Sequence, residues 1–194
     1  PPRNNSKSNH LLCGVTSSAQ LFVKGKLMDI RIAGTVEDSI VDGPGLRFVV
    51  FVQGCPHHCE GCHNPETHDF SAGKLTTTDA LYEICMENPL CSGVTFSGGE
   101  PFCQPEALYE LGSRFKAAGK HLMCYSGWTF EELLKKSGRE EYVGKLLSIL
   151  DVLVDGRFDI SKRSLSLLFR GSSNQRLIDV PASLTNGEAV ELPE

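Results

Sequence analysis

Three closely spaced cysteines are the residues of this chain best suited to metal chemistry. Cys55, Cys59 and Cys62 lie within one short glycine-bearing segment, whereas the other five of the eight cysteines are scattered along the sequence. Thiolates are preferred ligands of iron–sulfur clusters and of zinc. Three ligands leave one coordination position open, and in a cluster that position can hold a small molecule. The triplet alone favours a cluster and leaves open a zinc site completed by His57, His58 or His63.

A second motif, Ser97-Gly98-Gly99-Glu100, follows a short apolar run that reads as a strand. Paired glycines let a backbone approach a ligand closely. The carboxylate of Glu100 can accept hydrogen bonds from an ammonium group. In isolation such a segment is usually a turn with a solvated carboxylate. Downstream of a three-cysteine loop it indicates a ligand-binding loop.

The elements that must position these loops alternate between strands and helices. Strands are predicted over residues 46–52, 93–96, 121–125 and 151–154, and helices over residues 76–87, 105–118 and 129–147. This alternation is typical of right-handed βαβ units in an α/β protein with a parallel sheet. A closed barrel takes about 250 residues, so we expect a partial (β/α) barrel of about five or six mostly parallel strands. Functional loops should lie at the carboxyl ends of those strands.

Composition narrows the class of protein. The chain has 194 residues, 40% of them hydrophobic, and a net charge of −5. The negative charge gives no reason to expect a nucleic-acid partner, because such proteins carry a basic surplus. No apolar run approaches the roughly 18 residues of a membrane span, and the first ten residues lack the apolar core of a secretion signal. We therefore expect a cytoplasmic protein with no membrane partner, in which clustered cysteines bind metal.

With both motifs in view, the chain resembles the radical S-adenosylmethionine (SAM) superfamily. The resemblance lies in the cysteine triplet with three and two intervening residues, followed by Ser97-Gly98-Gly99-Glu100-Pro101. It implies that Cys55, Cys59 and Cys62 hold a 4Fe-4S cluster whose open iron is chelated by SAM. One electron from the cluster then cleaves SAM to methionine and a 5′-deoxyadenosyl radical. Ser97, Gly98, Gly99 and Glu100 would bind the methionyl amino group.

Three further stretches narrow the resemblance to the activases of glycyl radical enzymes. Residues 39–67 resemble that group, and residues 150–158 and 169–176 resemble its members that activate anaerobic ribonucleotide reductase. The implied partners are the catalytic subunit of that reductase and a flavodoxin- or ferredoxin-like electron donor. The alternatives are an activase of pyruvate formate-lyase or of another glycyl radical enzyme, and a zinc-binding module without catalysis. The resemblance covers a domain over residues 28–180, between an irregular extension over 1–27 and a tail over 181–194, and we expect the native chain to begin at Met28.

The same resemblance assigns further contacts to SAM. Asp155 and Arg157 would lie near the SAM carboxylate, and Ser126 would touch the cofactor. Many superfamily members carry an aromatic residue immediately before the third cysteine, where this chain has Gly61. The reductase activases share that glycine, so His63 is the expected substitute against adenine.

The remaining candidates are expected to serve the fold. Cys85 and Cys124 are predicted to be small core residues, and Trp128 and Phe130 are predicted to pack rather than bind a cofactor. No auxiliary cluster is expected from Cys91 and Cys103. Residues 42–45 read as a turn, with a groove for the partner's glycine-bearing loop as the alternative. His57 and His58 are expected to face solvent beside the cluster.

Overall fold

The sheet has more strands than the sequence predicts. A computed structural model describes residues 27–193, so Cys13 and all of the expected extension except Leu27 lie outside the described residues. The strands of this range are β1 (Asp29–Ser39), β2 (Arg47–Val52), β3 (Lys74–Thr77), β4 (Gly93–Gly98), β5 (His121–Tyr125), β6 (Val152–Asp155) and β7 (Arg176–Asp179). They form one seven-stranded sheet in the order β3-β1-β2-β4-β5-β6-β7.

The centre of the sheet is parallel and its margins are antiparallel. Strand β2 pairs in parallel with β4, β4 with β5, and β5 with β6. Strand β1 runs antiparallel to both β2 and β3, and β7 runs antiparallel to β6. The prediction of five or six mostly parallel strands is therefore wrong at the margins. Strands β1, β3 and β7 are rich in charged and polar residues, so no apolar run marks them, whereas the central strands are buried on both faces.

The predicted helices are present, but one of them is divided. The helices are α1 (Thr78–Glu87), α2 (Pro105–Ala117), α3 (Phe130–Ser137), α4 (Glu141–Ile149) and α5 (Val180–Asn186). The single helix predicted over residues 129–147 is interrupted at Gly138, a weak helix former that caps α3. Thr77 caps α1 and accepts a hydrogen bond from the Ala80 amide.

The main core lies between the helices and one face of the sheet. Phe96, Leu111 and Leu122 belong to it and are fully buried. Cys85 and Cys124 also belong to it, which confirms their prediction as core residues, and the Cys85 sulfur lies 3.7 Å from that of Cys91. A smaller apolar cluster on the opposite face contains the residues Met123, Val152, Val154 and Leu177. The sheet is therefore covered on both faces.

The carboxyl-terminal residues return to the edge of the sheet. Helix α5 follows β7 directly, and Ile178 forms an isolated bridge with Glu191. The Leu192 amide donates to the Leu177 carbonyl at 2.7 Å. Residues 190–192 are therefore hydrogen-bonded to β7. None of the helices seen between residues 27 and 193 is long and apolar enough to cross a membrane.

Candidate functional site

The loops that follow the four parallel strands border one cavity of about 490 Å³. The loop after β2 carries the cysteine triplet, and the glycine pair lies where β4 passes into its loop, with Gly98 ending the strand and Gly99 following it. Short segments after β5 and β6 complete the wall. This is the edge of the sheet at which such folds place their ligands. Among the predicted site residues, those that line the cavity are Cys55, Cys59, Cys62, His63, Ser97, Gly98, Gly99 and Ser126.

The three thiols face the same cavity, but their sulfur atoms are not close enough to one another to hold a metal ion. Within residues 27–193, no three histidine, cysteine or acidic side chains are close enough to hold a metal ion. Burial raises the pKa of Cys55, and the backbone amides of His57 and His58 oppose that shift. Burial likewise raises the pKa of Cys59. The donor set fits a thiolate-bound cluster, and loading requires the loop to contract and the thiols to lose their protons.

Backbone amides support the sulfurs of this loop. The Asn64 amide donates to the sulfur of Cys62 at 3.4 Å. The Phe158 amide, from the loop after β6, opposes the rise in the pKa of Cys59. Hydrogen bonds to cysteine sulfurs are one of the factors that set the reduction potential of a cluster. The loop therefore supplies both the thiols and amide groups directed at them.

The glycine pair lets the loop after β4 lie against the start of the cysteine loop. The Gly99 amide donates to the Val52 carbonyl at 2.8 Å, and the Glu100 amide donates to the Gly54 carbonyl at 2.8 Å. A Cβ atom on Gly99 would lie 2.4 Å from the Gly54 oxygen, closer than any real contact. Gly98 has a φ of +94°, which favours glycine. The backbone of this loop is therefore exposed to the cavity.

Glu100 is fully buried, and its carboxylate is occupied by groups of the protein. One oxygen lies 2.8 Å from Nε2 of His57 and accepts from the Gly127 amide at 2.8 Å. The Ser126 hydroxyl donates at 3.1 Å and the Phe102 amide at 3.0 Å. Glu100 is not among the residues that line the cavity. The contact of Glu100 with the SAM amino group stays a prediction. The burial of this carboxylate is not apparent from the sequence.

The expectation that His57 faces solvent is wrong. Its side chain is only 4% exposed, because Nε2 is bonded to Glu100 and the ring packs against the edge of Trp128 with centroids 4.7 Å apart. His58 is exposed, as predicted. Trp128 and Phe130 pack in or against the core, which confirms their interpretation as packing residues.

Asp155 and Arg157 do not line the cavity. The buried Asp155 carboxylate accepts from Nε and Nη2 of Arg176 at 3.0 and 2.5 Å, and from the Phe130 amide at 2.7 Å. Arg157 is exposed. The cationic side chain on the cavity wall is that of Arg170. A role for Asp155 and Arg157 near the SAM carboxylate stays a prediction.

The polar run over residues 169–176 fastens the loop that follows β6. Oε1 of Gln175 accepts from the Gly171 and Ser172 amides at 3.0 and 3.2 Å, and its Nε2 donates to the Gly156 carbonyl at 3.1 Å. Gly171 in turn packs on His63, whose ring lies 4.9 Å from that of Phe158. The sequence marked this run only through its resemblance, because hydrogen bonds between irregular segments leave no periodic pattern.

Residues 42–45 form bends beside the cavity, in agreement with the predicted turn. Buried Arg47 holds them by donating to the Pro44 carbonyl at 3.0 Å and to the Thr95 hydroxyl at 2.6 Å. Burial lowers the pKa of this arginine. Val41 and Asp42 line the cavity. The use of this segment as a groove for a partner stays a prediction.

An ion pair at the edge of the site makes stability depend on pH. Arg176 lies 2.8 Å from Glu131 and lowers the pKa of Glu131 from 4.5 to about 2. Because the pKa of the folded state is depressed, the stabilisation is present above the ordinary value and is lost as pH falls toward 2. Between about pH 5 and pH 3, the unfolding free energy of Glu131→Gln should therefore fall less on acidification than that of the wild type. The effect should be modest, because the Glu131 side chain is 56% exposed.

Urea denaturation across that pH range measures this effect. Glu188→Gln removes an exposed glutamate of the carboxyl-terminal segment and serves as the matched control. Equal acid dependence in the wild type and Glu131→Gln would show that the ion pair does not contribute.

Comparison with known proteins defines the class. Residues 41–178 match a family described as 4Fe-4S single cluster domain, which agrees with a three-cysteine cavity at the end of a partly parallel sheet. The anaerobic ribonucleoside-triphosphate reductase-activating protein of Enterobacteria phage T4 is 34% identical over 71% of this chain and 86% of its own length. The protein of that name from Haemophilus influenzae is 34% identical over 70% of this chain and 89% of its own. The chain therefore belongs to the 4Fe-4S family of glycyl-radical-enzyme activases.

A second group of relatives is matched over a shorter part of their length. The pyruvate formate-lyase-activating enzyme of Clostridium pasteurianum is 39% identical over 59% of this chain. The match covers 50% of that relative, so this chain spans about half of its length. The cofactors of the activase family are a 4Fe-4S cluster and SAM, which confirms the resemblance found in the sequence.

Proposed function

We propose that this protein cleaves SAM reductively and installs a glycyl radical on the catalytic subunit of anaerobic ribonucleotide reductase. The observation that carries the proposal is one cavity that brings together the cysteine triplet and the Gly98-Gly99 loop. The reductase activators match this chain over 86% and 89% of their own lengths, against 50% for the pyruvate formate-lyase activase. This difference favours the reductase as partner.

Each candidate residue has a distinct part in this proposal. Cys55, Cys59 and Cys62 hold the cluster, and the backbone of residues 97–99 receives the methionyl end of SAM, with Glu100 behind it. Ser126 lines the same wall, and His63, held between Phe158 and Gly171, is placed to pack on adenine. Asp155 fixes the start of α3 and the loop after β6 near the SAM carboxylate, with Arg157 beside it. When bound, the cluster and SAM supply the one-electron chemistry.

The protein's own side chains provide orientation and exclusion of water. Phe51, Phe158 and Phe169 give the cavity apolar walls, and such walls keep a reactive group away from solvent. Abstraction of a glycine Cα hydrogen needs no general acid or base. The absence of a catalytic triad from the sequence-based candidates is therefore consistent with the reaction.

The proposal also covers the curvature of the sheet, the electron donor and the cellular compartment. The sheet curves as a partial barrel around the cavity, with β3 and β7 as its outermost strands. The electron donor is a flavodoxin- or ferredoxin-like protein. The reaction takes place in the cytoplasm, where the scattered thiols stay reduced.

Anaerobic purification and cluster reconstitution test this proposal. We expect about four irons and four sulfides per chain, and an electron paramagnetic resonance (EPR) signal of the reduced protein that changes when SAM is added. Stoichiometric zinc in an iron-replete preparation that resists reconstitution would contradict the proposal and favour a zinc-binding module. A loaded protein that activates pyruvate formate-lyase but not the reductase would correct the partner.

A further inference from the structure

The buried carboxylate of Glu100 connects three of the loops that border the cavity. It is reached by His57 from the loop after β2, and by Ser126 and Gly127 from the segment after β5. Glu100 itself ends the loop after β4. The carboxylate is 0% exposed, so these hydrogen bonds form where water does not compete with them. A shift of one loop is therefore transmitted to the other two.

The ring of His57 has little freedom. Its Nε2 lies 2.8 Å from the Glu100 oxygen. The ring of Trp128 packs edge-on against the His57 ring, with an interplanar angle of 72°. A Cβ atom on Gly127 would lie 2.3 Å from Cδ2 of His57, so the ring lies directly on the backbone of Gly127. Three independent contacts thus hold one ring in one place.

His57 also lies between two of the cysteines in the chain. Cys55 precedes it by two residues and Cys59 follows it by two. The backbone amide of His57 is directed at the sulfur of Cys55. The position of the His57 ring therefore sets the path of the segment that carries both thiols. Among the described residues, His57 is the one residue of this loop whose side chain hydrogen-bonds to the loop after β4 or to the segment after β5.

We propose that His57 is a positioning residue that sets the distance between the cluster and SAM sites. Its hydrogen bond to Glu100 fixes the position of the cysteine loop relative to the loop after β4 and the segment after β5. This inference rests on the proposed function for the identity of the two cofactors. His57 is among the residues that line the cavity, but its side chain is only 4% exposed, and it acts through Glu100, Ser126 and Gly127.

Three variants separate this role from a merely structural one. His57→Ala removes the hydrogen bond, whereas His57→Gln keeps a nitrogen donor near the position of Nε2. His58→Asn is the matched control, because His58 is exposed between the same two cysteines. Its φ of 48° is one that asparagine tolerates.

Two readouts report on the role. In the cluster-free protein, hydrogen–deuterium exchange should become faster in residues 55–62 and in residues 126–128 of His57→Ala. In the loaded protein at equal iron content, SAM binding measured by calorimetry should weaken about tenfold, since a hydrogen bond to a charged group is lost. The SAM-induced change in the EPR spectrum should shrink in parallel. His57→Gln should restore most of both properties, and His58→Asn should match the wild type.

The inference would be overturned if His57→Ala showed the same hydrogen–deuterium exchange, SAM affinity and EPR response as the wild type. If His57→Ala does not fold, Gly127→Ala tests the same role, because its Cβ displaces the ring while every hydrogen-bonding group is retained. It should weaken SAM binding, and unchanged binding would overturn the inference. A wild-type protein that holds no cluster would instead refute the proposed function, and the exchange experiment on the cluster-free protein would still test His57.

Discussion

Replacement of any one of Cys55, Cys59 and Cys62 by alanine is expected to abolish cluster binding and all activity. A cluster held by three cysteines from one loop has no spare protein ligand, so two thiolates cannot retain it through reconstitution and buffer exchange. The iron and sulfide content of each variant should fall from about four per chain to near zero. The folded domain should persist, because the three side chains line a cavity and none of them belongs to either apolar core cluster. Iron analysis and near-ultraviolet circular dichroism measure these two results.

Cys85→Ala is the matched control for this series. Cys85 is also a thiol, but it is 2% exposed and packs in the main core on α1. We expect this variant to keep the wild-type iron content and to lose some stability through the lost packing of its sulfur. Full iron content in Cys59→Ala, or loss of iron in Cys85→Ala, would show that the ligands have been assigned to the wrong residues.

The second large effect is expected from Gly99→Ala. The added Cβ would lie 2.4 Å from the Gly54 carbonyl oxygen, and neither backbone can move without breaking the hydrogen bond from Glu100 to Gly54. The two loops must therefore separate at the cavity wall. Overpacking of this kind costs about 1–3 kcal/mol of unfolding free energy. SAM affinity should fall at least tenfold, because the backbone that receives the cofactor is displaced.

Calorimetric titration with SAM and urea denaturation measure the two effects of Gly99→Ala. Gly34→Ala is the control, since a Cβ at Gly34 in β1 would meet nothing within 4 Å. The control should bind SAM like the wild type. Wild-type SAM affinity in Gly99→Ala would contradict the placement of the cofactor against residues 97–99.

The parts of the site that the sequence predicts are those carried by local patterns. Apolar runs locate β2, β4, β5 and β6, because central parallel strands are buried on both faces. The triplet and the glycine pair directly follow two of these strands. The rule that loops at the carboxyl ends of parallel strands share one edge then brings them together. The structure agrees, since both motifs line one cavity.

The parts that the sequence does not predict depend on pairing across the fold. Strands β1 and β3 carry charged and polar residues at the margin of the sheet, so their pairing is visible only in three dimensions. The burial of His57 has no sequence signal either, because the carboxylate that draws it in is 43 residues away. The resemblance assigns Asp155, the last residue of β6, to the surroundings of SAM, but the guanidinium of Arg176, on the antiparallel strand β7, donates two hydrogen bonds to its carboxylate. In each case a long-range polar contact decides where the side chain points.

The most direct test of the central claim is formation of the radical on the partner. The reduced, cluster-loaded protein is mixed without oxygen with SAM and the catalytic subunit of anaerobic ribonucleotide reductase, with the glycines of that subunit deuterated at Cα. We expect a stable organic radical in the EPR spectrum of the subunit, with a splitting that narrows on deuteration, and deuterium in the 5′-deoxyadenosine recovered by mass spectrometry. SAM cleavage without a radical on the subunit, or 5′-deoxyadenosine free of deuterium, would contradict it.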